Sequence, residues 1–121
     1  MYKLFGWINV CIAAMMIMYQ IFAFINRRYI KNEAITKQLN TYRFMHKVFG
    51  GLLIAGTIVH AVLALGAWSF NAGMLSGIAA VLAVLAAIGF YAAKKKALFI
   101  IHRVFAAAFV VLMLVHLIFR I

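Results

Sequence analysis

Long apolar stretches alternate with short polar stretches along the whole chain. Four apolar stretches cover residues 4–25, 44–67, 74–92 and 97–119, and each is near the ~20 residues that a helix needs to cross a membrane. None alternates like the strand of a membrane barrel, and lipid offers backbone amides no hydrogen-bond partners. The pattern therefore predicts an all-α transmembrane four-helix bundle that forms a single domain, with no soluble domain appended.

Composition supports a membrane protein. Of the 121 residues, 69% are hydrophobic, none is proline and one is acidic, whereas about half is apolar in soluble domains. The first stretch begins like a secretory signal, but it lacks a small-x-small cleavage site and runs directly into Arg27 and Arg28. We expect it to be retained as a helix. Cys11 is the only cysteine, which excludes a disulfide framework and the attachment motif of c-type haem.

The positions of the positive charges predict the orientation. The net charge is +11, and most basic residues lie in the first and third connections between the apolar stretches. By the positive-inside rule these connections face the cytoplasm and both termini face outward, so nucleic acid is not an expected partner. We expect a multi-pass protein of a bacterial or archaeal inner membrane. The basic residues are Arg27, Arg28, Lys31, Lys37, Arg43 and Lys47 in the first connection and Lys94, Lys95, Lys96 and Arg103 in the third.

Four histidines share one repeated spacing. Thirteen residues separate His46 from His60, and thirteen separate His102 from His116. The two histidines of one helix are therefore about 21 Å apart, and they share a face in a left-handed bundle because their separation is two heptads. The predicted topology makes the second and fourth helices parallel. His46 then lies level with His102, and His60 with His116.

Two imidazoles at one depth are the axial ligand set of a six-coordinate haem. They fill both axial positions of the iron and leave none for oxygen. Zinc or copper could compete, but a closed zinc site needs four ligands and neither depth supplies a cysteine or carboxylate. A lone histidine in a membrane helix is equally explained by a hydrogen bond between helices. The matched pairs favour two b-type haems.

The residues around the histidines also repeat. His-Lys-Val-Phe-Gly-Gly at 46–51 is echoed by His-Arg-Val-Phe-Ala-Ala at 102–107. Small residues such as Gly50 leave room for a flat macrocycle, although they equally allow close helix packing. Haem propionates are anionic and attract cations, although the same cations are explained as anchors at the membrane interface. The candidate cations are Arg43, Lys47 and Arg103 for the inner haem and Arg120 or Lys3 for the outer haem.

The two histidine pairs resemble the di-haem cytochrome b membrane domains, including cytochrome b of the quinol:cytochrome c oxidoreductases and the ferric-reductase-like membrane domain. The resemblance covers the second and fourth helices, about half of the chain. It implies that the four histidines ligate two stacked haems in an electron-transfer subunit of an oxidoreductase, rather than in a complete enzyme. No Pro-Glu-Trp-Tyr element and no flavin or nicotinamide domain accompanies them. The expected partners are membrane lipid and a quinone or redox protein, and a membrane complex or homo-oligomer is left open.

Two other classes of function fit a small helical membrane protein. Four-helix multidrug exporters depend on an acidic residue within a helix, whereas Glu33 lies in the basic first connection. A non-redox membrane anchor or assembly subunit requires only the helices. The paired histidines favour electron transfer over both.

Overall fold

The computed structural model of the chain describes residues 1–64 and 70–119. Four α-helices in this part of the chain are long and apolar enough to cross a membrane. The described residues contain no β-strand. The chain is an all-α, multi-pass membrane protein, as the sequence predicts. The helices are α1 (Tyr2–Ile25), α2 (Glu33–Ala64), α3 (Ala72–Ala93) and α4 (Lys96–Phe119).

Helix α2 begins at Glu33, well before Phe44 where the sequence places its start. Hydropathy detects only the part of a helix that lies in lipid, and the polar residues before Phe44 form a helix without being apolar. The side chain of Asn32 caps this helix, because its Oδ1 accepts from the backbone amides of Ala34 at 2.9 Å and Ile35 at 3.4 Å. Most of the predicted first connection is therefore helical.

Asn26 organises the short turn between α1 and α2. It begins a single π-helical turn that continues from α1, and it is only 1% exposed. Its Oδ1 accepts from the amide of Asn32 at 3.1 Å, and its Nδ2 donates to Oγ1 of Thr36 at 2.9 Å. Lys31 has a left-handed backbone and donates its amide to the Asn26 carbonyl at 2.6 Å. These bonds reverse the direction of the chain.

The chain divides into two compact units, Met1–His60 and Ala61–Ile121. In the first unit, α1 and α2 form an antiparallel hairpin. Residues near the start of α1 contact residues near the end of α2, and residues further along α1 contact residues earlier in α2. That the whole chain forms a single domain stays a prediction. The close approaches from one end of this hairpin to the other are Gly6 to His60, Asn9 to Gly56, Met16 to Gly50, and Tyr19 to Leu39.

Helices α3 and α4 form a second antiparallel hairpin in the other unit. Asn71 caps the start of α3 by accepting from the amide of Met74 at 2.9 Å, and Lys94 ends the helix in a left-handed conformation. The face of α3 toward α4 is built from buried small residues, which let two membrane helices approach closely. The close approaches are Gly73 to His116, Ser76 to Phe109, Ala83 to His102, and Gly89 to Leu98.

Candidate functional site

The four histidines lie on the second helix of each hairpin, two on each helix. Midway between the two histidines of each helix lies one buried apolar residue, at a spacing of seven residues from both. A spacing of seven returns to the same helix face. Each helix therefore carries both histidines on one stripe, and contacts along that stripe reach the first helix of the same hairpin. The stripes are His46, Leu53 and His60 on α2 and His102, Phe109 and His116 on α4.

The ring of His60 packs against α1 at Gly6. A Cβ atom built on Gly6 would lie 3.1 Å from Cε1 of His60, 3.3 Å from Nδ1 and 3.8 Å from Nε2. Ordinary van der Waals contacts of a Cβ atom begin at about 3.4 Å. The ring therefore occupies space that is open only because residue 6 has no side chain.

The second hairpin repeats this arrangement at His116. A Cβ atom on Gly73 would lie 2.9 Å from Cε1 of His116 and 3.0 Å from its Nδ1. It would also lie 3.2 Å from Oδ1 of Asn71, the side chain that caps α3. In both hairpins, a glycine on the first helix thus accommodates the second histidine of the partner helix.

His102 is held by a hydrogen bond to the backbone of α3. Its Nδ1 lies 2.7 Å from the carbonyl oxygen of Ala83. A carbonyl oxygen only accepts hydrogen bonds, so Nδ1 is the donor and carries the ring proton. In the neutral imidazole, the lone pair is then on Nε2. Histidines that ligate metals are commonly oriented in this way, with the other ring nitrogen donating to a carbonyl.

His46 borders a cavity of about 430 Å³ between α1 and α2. Cofactor and small-molecule sites have volumes of roughly 300–1,000 Å³ and mostly apolar walls. Tyr19 fixes one side of this cavity, because its hydroxyl donates to the carbonyl of Leu39 at 2.8 Å. The apolar and aromatic side chains that line the cavity include Met15, Met16, Phe22, Tyr42, Met45 and Phe49.

The other residues predicted for the site lie at its margins. The cations predicted near the haems are exposed where the structure describes them, and Arg120 lies outside the described residues. Gly50 has room beside it, because a Cβ there would meet only the terminal methyl group of Met16 at 4.0 Å. Their roles in haem binding stay predictions. The exposed cations are Lys3, Arg43, Lys47 and Arg103.

The predicted histidine pairs join residues of different units. His46 and His60 belong to the first unit and His102 and His116 to the second. The contacts described above all lie within one unit. The pairing of His46 with His102, and of His60 with His116, stays a prediction.

Sequence reasoning missed the residues on α1 and α3 that contact the histidine helices. A signal for them exists, because glycine, a buried polar residue and a buried alanine recur with the same spacing on both helices. In the second hairpin the polar residue is Ser76, whose hydroxyl donates to the carbonyl of Phe109 at 3.2 Å. A search for a repeat across whole hairpins would have found it. The triplets are Gly6, Asn9 and Ala13 on α1 and Gly73, Ser76 and Ala80 on α3.

No family model, curated protein or solved structure matches this chain. The fold and the site define it as a multi-pass helical membrane protein whose two hairpins each carry a pair of histidines on one helix face.

Proposed function

We propose that the protein transfers electrons across the membrane through two b-type haems, each ligated by two of the four histidines. The observation that carries the proposal is the repeat itself. Both hairpins place two histidines on one stripe of the second helix, with the same spacing and with a glycine of the first helix against the second ring. Hydrogen bonding between helices would require neither the equal spacing nor the repeated glycine.

The surroundings of the histidines fit haem ligation. A six-coordinate haem supplies reversible one-electron chemistry with no open position for oxygen. The carbonyl of Ala83 holds the proton of His102 on Nδ1, which places the lone pair of the neutral ring on Nε2, the nitrogen that we propose as the ligand. The cavity beside His46 supplies apolar and aromatic walls of the kind that line cofactor sites.

The described residues fit a two-ligand site better than a zinc site. Closed zinc sites use four nearby ligands drawn from cysteine, histidine and carboxylates. In residues 1–64 and 70–119, no group of three or more such side chains comes together. Cys11 is exposed on α1, and Glu33 lies in the first turn of α2. We therefore assign the ligands to the histidines alone.

The protein itself contributes ligands, rigidity and insulation. The packed rings of His60 and His116 keep their ligating nitrogens from swinging freely. The two histidines of one helix lie about 21 Å apart. Haems held at these two depths would divide the path of an electron across the membrane into shorter steps. The apolar helices around them exclude water. Together these features support the passage of one electron from a donor at one face to an acceptor at the other.

The distribution of basic residues supports an orientation of the protein in the membrane. The basic ends of α2 and α4 face the cytoplasm under the positive-inside rule, in a bacterial or archaeal inner membrane. Arg43, Lys47 and Arg103 lie within one turn of the first histidine of their helix, where they are placed to attract haem propionates. A quinol or a redox protein serves as the electron donor or acceptor at each face.

The test is electron transfer into sealed vesicles. Purified protein is reconstituted into liposomes that contain ferricyanide, and a membrane-impermeant reductant is added outside. We expect the wild-type protein to reduce the internal ferricyanide. Substitution of any one of the four histidines by alanine should lower the rate to that of protein-free liposomes, since loss of one relay leaves a gap on the order of 20 Å.

The matched control is Cys11→Ala, a substitution on the exposed face of α1 that leaves every histidine in place. It should transfer electrons at the wild-type rate. Wild-type protein that transferred no faster than empty liposomes would contradict the proposed function, as would four histidine variants that all kept the wild-type rate.

A further inference from the structure

We propose that Gly6 and Gly73 are positioning residues that set the ring orientation of His60 and His116 as iron ligands. This inference rests on the proposed function, because it assigns the glycines a role toward the ligated haem. Neither glycine would touch the iron. Each acts through the histidine ring that lies against it.

Neither glycine has room for a side chain beside the histidine ring. A methyl group at either position would approach Cε1 of the ring to about 3 Å, at 3.1 Å for Gly6 and 2.9 Å for Gly73. Contacts of 3.0–3.4 Å require the neighbour to give way by a few tenths of an ångström, and those below 3.0 Å require a shift. Any larger residue would therefore push the ring away from the first helix.

The two rings present the same atoms to their glycines. In both hairpins, the atoms nearest to the glycine are Cε1 and then Nδ1. At Gly6 the Nε2 atom of His60 is the most distant of the three, at 3.8 Å. The glycine thus lies against the Cε1 edge of the ring in both hairpins, so a methyl group there would tilt or displace the whole imidazole. The same orientation occurs in two hairpins whose sequences differ at most other positions.

Gly89, by contrast, lies against an aliphatic side chain. A Cβ atom on Gly89 would lie 3.3 Å from Cδ1 of Leu98, which is nearly as tight as the contact at Gly6. A leucine side chain can change rotamer to relieve this contact at small cost. A histidine that ligated iron would lack this freedom, because moving its ring would move the ligating nitrogen. The effect of a methyl group should therefore depend on the neighbour.

The experiment compares the variants Gly6→Ala, Gly73→Ala and Gly89→Ala in purified, haem-loaded protein. Electron paramagnetic resonance of the oxidised protein reports the orientation and field of the axial imidazoles, and circular dichroism reports the helical content. We expect Gly6→Ala and Gly73→Ala each to shift one low-spin signal or convert it to high spin, with wild-type helical content. Gly89→Ala should leave both low-spin signals unchanged.

A further variant separates the ring from the helix cap at Gly73. The cap residue Asn71 would also lie near a methyl group there, so Asn71→Ala removes the cap and leaves the ring contact in place. We expect this variant to keep both low-spin signals. A changed signal in Asn71→Ala would overturn the positioning role of Gly73. If one glycine variant fails to fold, the other tests the same contact in a different hairpin.

The results that would contradict the role of the glycines differ from the result that would contradict the proposed function. Wild-type protein that contains haem, with unchanged signals in both Gly6→Ala and Gly73→Ala, would overturn the positioning role and leave the proposed function standing. An equal shift in Gly89→Ala would also overturn it, because the effect would then come from helix packing in general. Wild-type protein without haem would overturn the proposed function and this inference together.

Discussion

Three of the four histidine rings contact the neighbouring helix at its backbone or at a glycine. His102 donates to the carbonyl of Ala83, and His60 and His116 lie against Gly6 and Gly73. Such contacts restrict the orientation of each ring relative to the neighbouring helix. At the scale of single residues, these contacts orient three of the four rings, as the proposed metal ligation would require.

The predicted pairing of the histidines can be tested by single substitutions. Replacing His60 or His116 with alanine should remove the outer haem or convert it to high spin, because the two are predicted to ligate the same iron. Replacing His46 or His102 should affect only the inner haem. Reduced-minus-oxidised spectra combined with a redox titration of each variant would separate the two components.

The arrangement of α2 and α4 decides the outcome of that experiment. If substitutions at His46 and His116 altered the same spectral component, while substitution at His102 altered the other, the predicted parallel arrangement of α2 and α4 would be wrong. Arg28→Gln provides a control, since this exposed residue in the turn is remote in sequence from all four histidines. It should preserve both components.

At the scale of elements, each hairpin is held together by small residues at the helix contacts. In the first hairpin, the side chain of Asn9 occupies the space that a Cβ atom on Gly56 would fill. Asn9 is 8% exposed, so it has little room to move aside. The register of α1 against α2 therefore depends on the absence of a side chain at residue 56.

A double-mutant cycle tests this contact. Gly56→Ala should destabilise the protein by about 1–3 kcal/mol, the usual cost of overpacking a buried contact. In an Asn9→Ala background the same substitution should cost almost nothing, because the space has been vacated. Unfolding in detergent, followed by circular dichroism, measures both values. An equal cost in the two backgrounds would show that the contact does not determine the packing.

The turn between α1 and α2 depends on one buried amide. Asn26→Ala removes the acceptor for the Asn32 amide and the donor to Thr36. The expected loss is about 1–3 kcal/mol in the free energy of unfolding, because these polar groups lose their partner. Asn40→Ala, at an exposed position of α2, is the control and should change stability by less than about 0.5 kcal/mol. Similar values for the two variants would contradict the role assigned to Asn26.

The sequence predicts the four helices well, because hydrophobicity and length decide which segments enter lipid. It misses the start of α2 at Glu33, because a helix outside the lipid needs no apolar residues. It also misses Gly6 and Gly73. Their importance depends on the register between two helices, which follows from packing rather than from the pattern of either helix alone. The heptad spacing of the histidines is a property of a single helix, so the sequence alone reveals it.

At the scale of the whole molecule, two histidine hairpins are combined with a strongly asymmetric charge. The basic residues gather at the ends of α2 and α4 that carry His46 and His102, while the described ends near His60 and His116 carry few charges. By the positive-inside rule, this asymmetry predicts the orientation of the chain in the membrane. It also places cations near one predicted ligand level, where they are expected to bind haem propionates.

The central claim is that each chain holds two bis-histidine haems, and haem stoichiometry tests it most directly. Protein purified in mild detergent would be assayed by extracting haem against a measured protein concentration, together with a reduced-minus-oxidised visible spectrum. We expect two haems per chain, both low spin. One haem per chain, or bound zinc without haem, would contradict it.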